Sequence, residues 1–264
     1  MLWAASLPAM AIFTNGGFES GDFTGWTQSS GINNGLILPE PFTGSSVDLS
    51  PGGSFRGEVV TTGAVDLIGA PITLPFAGSF TARVNNADTG GIANGIAQQD
   101  TITAADRDPL DNKLHVRFAY AVVLEDPSHD HDSQPFFYLR VRNVTKSTDL
   151  FEDFSFAGQT GTQFQPVPAN PGFLYLDWKQ IDVVVPDADL GDTIEVYLLA
   201  SDCSPSAHAG YAYLDGFGSG RVVPPPGPPS VTAVPTLGEI AMLALSVVLA
   251  GAGASTLRRR KRGK

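Results

Sequence analysis

The chain has 264 residues, of which 42% are apolar, enough for a sizeable core, and this excludes wholesale disorder. Its 29 Gly and 20 Pro, with no long run of helix formers before the tail, favour short strands joined by turns. Cys203 is the single cysteine, so an intramolecular disulfide is excluded. The net charge of −11 is asymmetric. Six cations fall at Arg258, Arg259, Arg260, Lys261, Arg262 and Lys264, after every one of the 27 acidic residues. Residues 1–257 therefore carry ten cations against 27 acids, a net −17. That surface argues against nucleic acid and anionic lipid as partners. It invites divalent cations, or simply keeps an exported protein soluble.

Residues 1–11, MLWAASLPAMA, are apolar and end in Ala9-Met10-Ala11, the small-x-small pattern of a signal-peptidase site. They read as the remnant of a signal peptide, with an apolar first strand as the alternative. The domain that follows is expected to span residues 12–220. Residues 85–112 read as loop plus one strand. Leu114–Leu124 is a predicted strand with Leu114, Val116, Phe118 and Tyr120 on one face, leading into a continuous apolar stretch. Phe136–Val144 is another, with Arg140 and Arg142 opposite Leu139 and Val141. Leu174–Val185, Thr193–Ala200 and Gly210–Phe217 complete the series, with Asp-Pro, Pro-Ser and Gly-Asp turns between strands. No long amphipathic helix precedes residue 240. The expected fold is an all-β antiparallel sandwich.

Several groups are candidates for chemistry. Glu125, Asp126, His129, Asp130, His131 and Asp132 crowd one inter-strand loop, where His129 and His131 would share a face if extended, as in a two-histidine metal site. A hairpin loop of this composition also needs no metal. Cys203 and His208 lie five apart without the elbow or oxyanion signature of a nucleophile. Glu152–Asp153 and Asp187–Asp189 offer carboxylates for glycoside hydrolysis, as any acidic protein does. Among the aromatic residues, Phe151, Phe154 and Phe156 could present rings to a glycan. Phosphate loops, dinucleotide fingerprints and zinc-protease helices are missing, so no catalytic residue is assigned and no organic cofactor is expected.

After the domain, residues 222–233 (VVPPPGPPSVTA) read as an extended, solvated stalk within a linker of 221–233. Residues 240–257 are uncharged over 18 positions, close to the minimum for a membrane span, and the basic tail follows at once. The positive-inside rule keeps that tail cytoplasmic and the rest outside the inner membrane. Before the span stand Val234, Pro235, Thr236, Leu237, Gly238 and Glu239. This motif, span and arginine cluster, residues 234–264, resemble the IPTL-type C-terminal sorting signal of Gram-negative bacteria, similar in layout to the PEP-type signals of exosortases. Val234 replaces the usual Ile, and Gly238-Glu239-Ile240 replaces the common Ser-Glu-Trp. The resemblance implies an exported envelope or surface protein. Its tail would be recognised, and removed, by an exosortase-like membrane enzyme.

The opening Asn15-Gly-Gly-Phe-Glu-Ser-Gly-Asp-Phe-Thr-Gly-Trp26 resembles the first strand of carbohydrate-binding-module-like, galactose-binding-like jelly rolls. That resemblance implies that Trp26 packs into the core and that Glu19 joins Asp215, in Tyr211-Ala-Tyr-Leu-Asp-Gly-Phe217, on a structural Ca²⁺. Backbone carbonyls near Asn15 and Gly17 would complete the oxygen shell. The alternative is that Glu19 caps a turn and Asp215 faces solvent. The segments 120–129, 133–137 and 201–215 also resemble modules of bacterial surface and gliding-associated proteins. The implied function is a non-catalytic adhesion module binding an extracellular glycan or surface protein, its ligand-binding residues unassigned. The alternatives are a structural, self-associating surface component and a secreted glycoside hydrolase.

Overall fold

The computed structural model describes residues 12–37 and 40–221. The expected signal remnant, stalk, sorting motif and membrane span therefore lie outside the described residues. Among those described, no helix is long and apolar enough to cross a membrane. In chain order the described strands are β1 (Thr27–Leu36), β2 (Val47–Pro51), β3 (Glu58–Thr61), β4 (Phe80–Val84), β5 (Ile92–Thr101) and β6 (Leu114–Glu125). They continue with β7 (Phe136–Asn143), β8 (Thr148–Phe156), β9 (Gln165–Val167), β10 (Asn170–Val185), β11 (Thr193–Ser201) and β12 (Gly210–Gly218). They form two six-stranded antiparallel sheets, ordered β2-β1-β5-β11-β7-β8 and β3-β4-β12-β6-β10-β9. The helical content of the described residues is four single 3₁₀ turns.

β6 explains why the sandwich is thick. Its even-numbered residues, Leu114 to Leu124, enter the core between the sheets. Its odd-numbered residues Ala121 and Val123 belong to a second cluster on the outer face. Alternation gives way to continuous apolar sequence because both faces are covered. The cover is the segment between β3 and β4, which lays Ala70, Ile72 and Leu74 on the outer face of the second sheet. Buried Asp66 anchors this strap. It accepts hydrogen bonds from the hydroxyls of Tyr211 (3.0 Å) and Tyr213 (2.9 Å) and from the amides of Ile68 (3.1 Å) and Ala70 (2.9 Å). A third cluster, with Phe136, Tyr138 and Leu199, lies on the outer face of the first sheet beneath Phe42, Val47 and Leu49.

The segment Asn15–Trp26, expected as a first strand, is a chain of turns, and the first strand begins at Thr27. Phe13, Asn15 and Phe18 have φ of 83°, 53° and 59°, outside the range of any strand. The Asn15 side chain holds this conformation. Its amide donates to the carbonyls of Asp22 (2.9 Å) and Thr24 (3.2 Å), and its oxygen accepts from the Ser20 amide (3.1 Å). Trp26 does enter the core, stacked on Phe18 at 5.0 Å, and its indole N–H donates to the Asn15 carbonyl. The turns lie against β12, where the Phe217 amide donates to the Gly16 carbonyl (2.9 Å). A Cβ on Gly16 would stand 1.7 Å from the Phe217 oxygen, so only glycine allows this approach.

Candidate functional site

Glu19 and Asp215 are brought to the same short stretch of backbone, residues 77–80. Glu19 accepts from the amides of Ser79 (2.9 Å) and Phe80 (3.3 Å), and Asp215 accepts from that of Ala77 (3.0 Å). Asp215 is only 1% exposed. Burial first, and then the negative charge of Glu19, push its carboxyl up to about 7, against amide hydrogen bonds that pull it down. Two carboxylates from opposite ends of the chain, one buried and destabilised by the other, fit a hard divalent cation in charge and donor type. The Asn15 carbonyl already accepts from the Phe18 amide and the Trp26 indole.

The acidic, histidine-containing loop is not gathered as the spacing suggested. Glu125 accepts from the Ala209 amide (3.0 Å), and Asp126 accepts from the Ser128 amide (3.0 Å) and the Gln134 side chain (3.3 Å). His131 turns to Glu40 (2.7 Å) and the Phe156 ring, while His129 faces His208 (3.2 Å). A 3₁₀ turn at His131–Ser133 breaks the extended spacing that would have put both rings on one face. The carboxylate pairs also separate. In β8, Glu152 lies across from Arg140 on the outer face and accepts from the Gly44 amide (3.1 Å). Asp153 points the other way, to the Tyr120 hydroxyl and Lys179. Asp187 pairs with Arg107 (2.8 Å) and Asp189 with Lys146 (2.5 Å). Glu152 and Asp153 therefore face opposite sides of their sheet, and do not flank a common space as two glycosidase carboxylates must.

The outer face of β7, β8 and β11 holds a cleft. Tyr138, Arg140 and Arg142 alternate along β7 toward this face, as their spacing requires. Leu199 and Tyr197 of β11 stand across from Tyr138 and Arg140, and Phe154 and Glu152 of β8 flank them on the other side. The segment 43–49 forms the opposite wall of a cavity of about 550 Å³. Gly44 permits this closeness, since a Cβ there would stand 1.9 Å from the Tyr138 ring. The Tyr138 and Tyr197 rings meet edge to face at 6.1 Å, and burial pushes the Tyr197 hydroxyl up to about 12. Arg140 donates to Glu195 (2.7 Å) and Arg142 to Asp149 (3.0 Å). The buried Arg140 Nε–H has no hydrogen-bond partner within the protein, and the Asp149 carboxylate lies 4.0 Å from it. Of the predicted ring set, Phe154 and Phe156 share this face, whereas Phe151 packs on Phe118 against the inner core.

Residues 232–260 match the IPTL-CTERM motif. The match contains the Val234–Glu239 hexapeptide, so the sorting signal expected from the sequence is present. No curated protein matches the chain. Among solved structures, CBM27-1 of Caldicellulosiruptor saccharolyticus, solved with mannohexaose, is 12% identical over 62% of this chain and 96% of its own, with a TM-score of 0.32. A carbohydrate-binding module of the CBM28 type, specific for non-crystalline cellulose, is 11% identical over 81% and 95%, with a TM-score of 0.36. The K2 cleaved adhesin domain of Lys-gingipain is 13% identical over 79% and 95%, with a TM-score of 0.33. At such TM-scores these likenesses carry no argument about ligand, which rests on the cleft itself.

Proposed function

We propose that this protein is an exported, non-catalytic surface module that binds an extracellular glycan or matrix polysaccharide through the cleft over β7, β8 and β11. The observation that carries the reading is the mixed lining of this cleft, with the Arg140 guanidinium on its floor. Around it, two tyrosines offer apolar ring surface. Arg142, Asp149 and Glu152 offer charged hydrogen-bonding groups. That mixture suits a polyhydroxylated ring better than a purely apolar or a strongly anionic ligand.

In this reading the sandwich is a jelly roll, and a structural Ca²⁺ held by Glu19 and Asp215 ties the two ends of the domain together. The IPTL-CTERM motif supports export, with the tail placed transiently or permanently in the inner membrane and processed by an exosortase-like enzyme. The test is a polysaccharide array, followed by affinity electrophoresis on the responding glycan. Wild-type protein is expected to be retarded, and Arg140→Gln and Tyr197→Ala to migrate freely while keeping the wild-type circular dichroism spectrum. Retardation undiminished in both variants would remove the cleft from the reading. Silence across the array, together with concentration-dependent assembly, would replace it with a self-associating structural component.

A further inference from the structure

We infer that Cys203, His208 and His129 form a zinc site at the end of the sandwich where the β6–β7 and β11–β12 loops meet. The inference is independent of the glycan reading. His208 Nδ1 lies 3.2 Å from His129 Nε2 and 3.5 Å from Cys203 Sγ. Bonds of about 2.0 Å to imidazole nitrogen and about 2.3 Å to thiolate give tetrahedral edges of about 3.3 Å between two nitrogens and about 3.5 Å between nitrogen and sulfur. Both observed distances fall on those edges. All three donor atoms lie within 4.8 Å of one another. Hydrogen bonding explains the cluster less well. His208 Nδ1 carries one proton or one lone pair, yet it faces two polar atoms.

The site is built by backbone. The Cys203 amide donates to the His208 carbonyl (2.9 Å), closing the turn that brings the two side chains together. The Ser204 amide donates to the Ser133 carbonyl (3.2 Å), stitching this turn to the loop of His129. Gln134 holds the His129 carbonyl (3.2 Å). Cys203 Sγ accepts from the Ala207 amide (3.4 Å), which fixes the sulfur in place. Cys203 is fully buried, and both histidines are half-buried, leaving an open side for water as fourth ligand. One thiolate and two imidazoles select a borderline-soft ion such as Zn²⁺ over Ca²⁺ or Mg²⁺. The other cluster of this kind among the described residues, Asp108, Asp111 and His115, is a poorer host. Arg117 and Arg221 stand 2.7 Å and 2.9 Å from Asp108 and already neutralise it.

The test uses the full chain in detergent, stripped with chelator and titrated with Zn²⁺ alone against a chromophoric competitor, and separately with Co²⁺ followed by absorption. One zinc per chain is expected, with a thiolate-to-cobalt charge-transfer band. Losing a direct ligand should weaken binding by more than the roughly 10–100-fold typical of second-shell changes, so His129→Gln and His208→Gln should each lose more than about a hundredfold. Cys203→Ser should abolish the cobalt band. Because Cys203 is buried, the half-buried His129→Gln variant decides the question if Cys203→Ser fails to fold. No saturable zinc uptake would overturn the proposal. So would a zinc affinity that stays within tenfold of wild type in both histidine variants.

Discussion

The two outer faces of the sandwich are covered in different ways. On the second sheet the strap between β3 and β4 is fixed along its length. Asp66 satisfies two tyrosine hydroxyls and two amides, Trp178 donates its indole N–H to the Thr73 carbonyl (2.7 Å), and Glu19 and Asp215 take the amides at the far end. On the first sheet the segment from Glu40 to β2 covers only part of the face, meeting it through Phe42, Val47, Leu49 and the Gly44–Glu152 hydrogen bond. It leaves a cavity in which a buried arginine donor is unpaired. One face is closed as a structural core, and the other stays open with unmet hydrogen-bonding capacity.

The sharpest way to break the comparison is to unseat the strap. Asp66→Ala leaves two buried tyrosine hydroxyls without their acceptor, at about 1–3 kcal/mol each. The expected loss is therefore about 3 kcal/mol or more, read as a lower midpoint in urea. Glycan retardation by the remaining folded protein should be unchanged. A loss of less than about 0.5 kcal/mol, ordinary for a surface position, would mean that the strap is not what seals this face.

The strap's far end gives the next effect. In calcium-free protein the Asp215 carboxyl, pushed up to about 7, is raised above the ordinary value of 3.8. The folded state then binds this proton more tightly than the unfolded one, so stability falls as pH rises between about 4 and about 7. Each pH unit separating the two pKa values amounts to about 1.4 kcal/mol. Asp215→Asn should flatten that decline relative to wild type when melting is followed in EGTA. Millimolar Ca²⁺ should raise the wild-type melting temperature and do nothing for Asp215→Asn or Glu19→Ala. Identical wild-type melts in EGTA and calcium would remove the ion and leave Glu19 and Asp215 as anchors of the strap alone.

What the sequence disclosed follows the same division. β6, β7, β10, β11 and β12 were legible because their apolar alternation, or its loss in β6, reports directly on burial. Arg140 and Arg142 were placed on the correct face by period alone. β1 was not legible. Its sequence, TQSSGINNGL, carries almost no apolar signal, and it is held by pairing with β2 and β5 and by buried Asn33 donating to the Asp202 carbonyl (2.7 Å). Residues 62–79, with three glycines and two prolines, run between β3 and β4 without a strand of their own, and nothing local says that they lie on a sheet. His129 and His208 are 79 residues apart, and their meeting depends on two loops sharing one end of the sandwich. The Asn15–Trp26 segment, expected as a first strand from its resemblance, is a loop because Asn15 and the positive-φ Gly21 and Gly25 turn the chain.

The open face can be tested by smaller changes. Gly44→Ala places a methyl group where the Tyr138 ring stands, so the covering segment must lift or the ring must move. The cost expected of such overpacking is about 1–3 kcal/mol, and the cleft should lose its glycan because its wall has shifted. Arg140→Gln is the gentlest probe. It gives up a half-buried pair with Glu195, worth about 1 kcal/mol or less, and it also removes the unpaired Nε donor. Stability should therefore barely change while glycan retardation disappears. That combination separates the open face from the sealed one, where binding and stability respond the other way round. If Arg140→Gln instead costs as much stability as Asp66→Ala and leaves retardation intact, the arginine is part of the scaffold. Its bare donor would then be a cost that the fold tolerates.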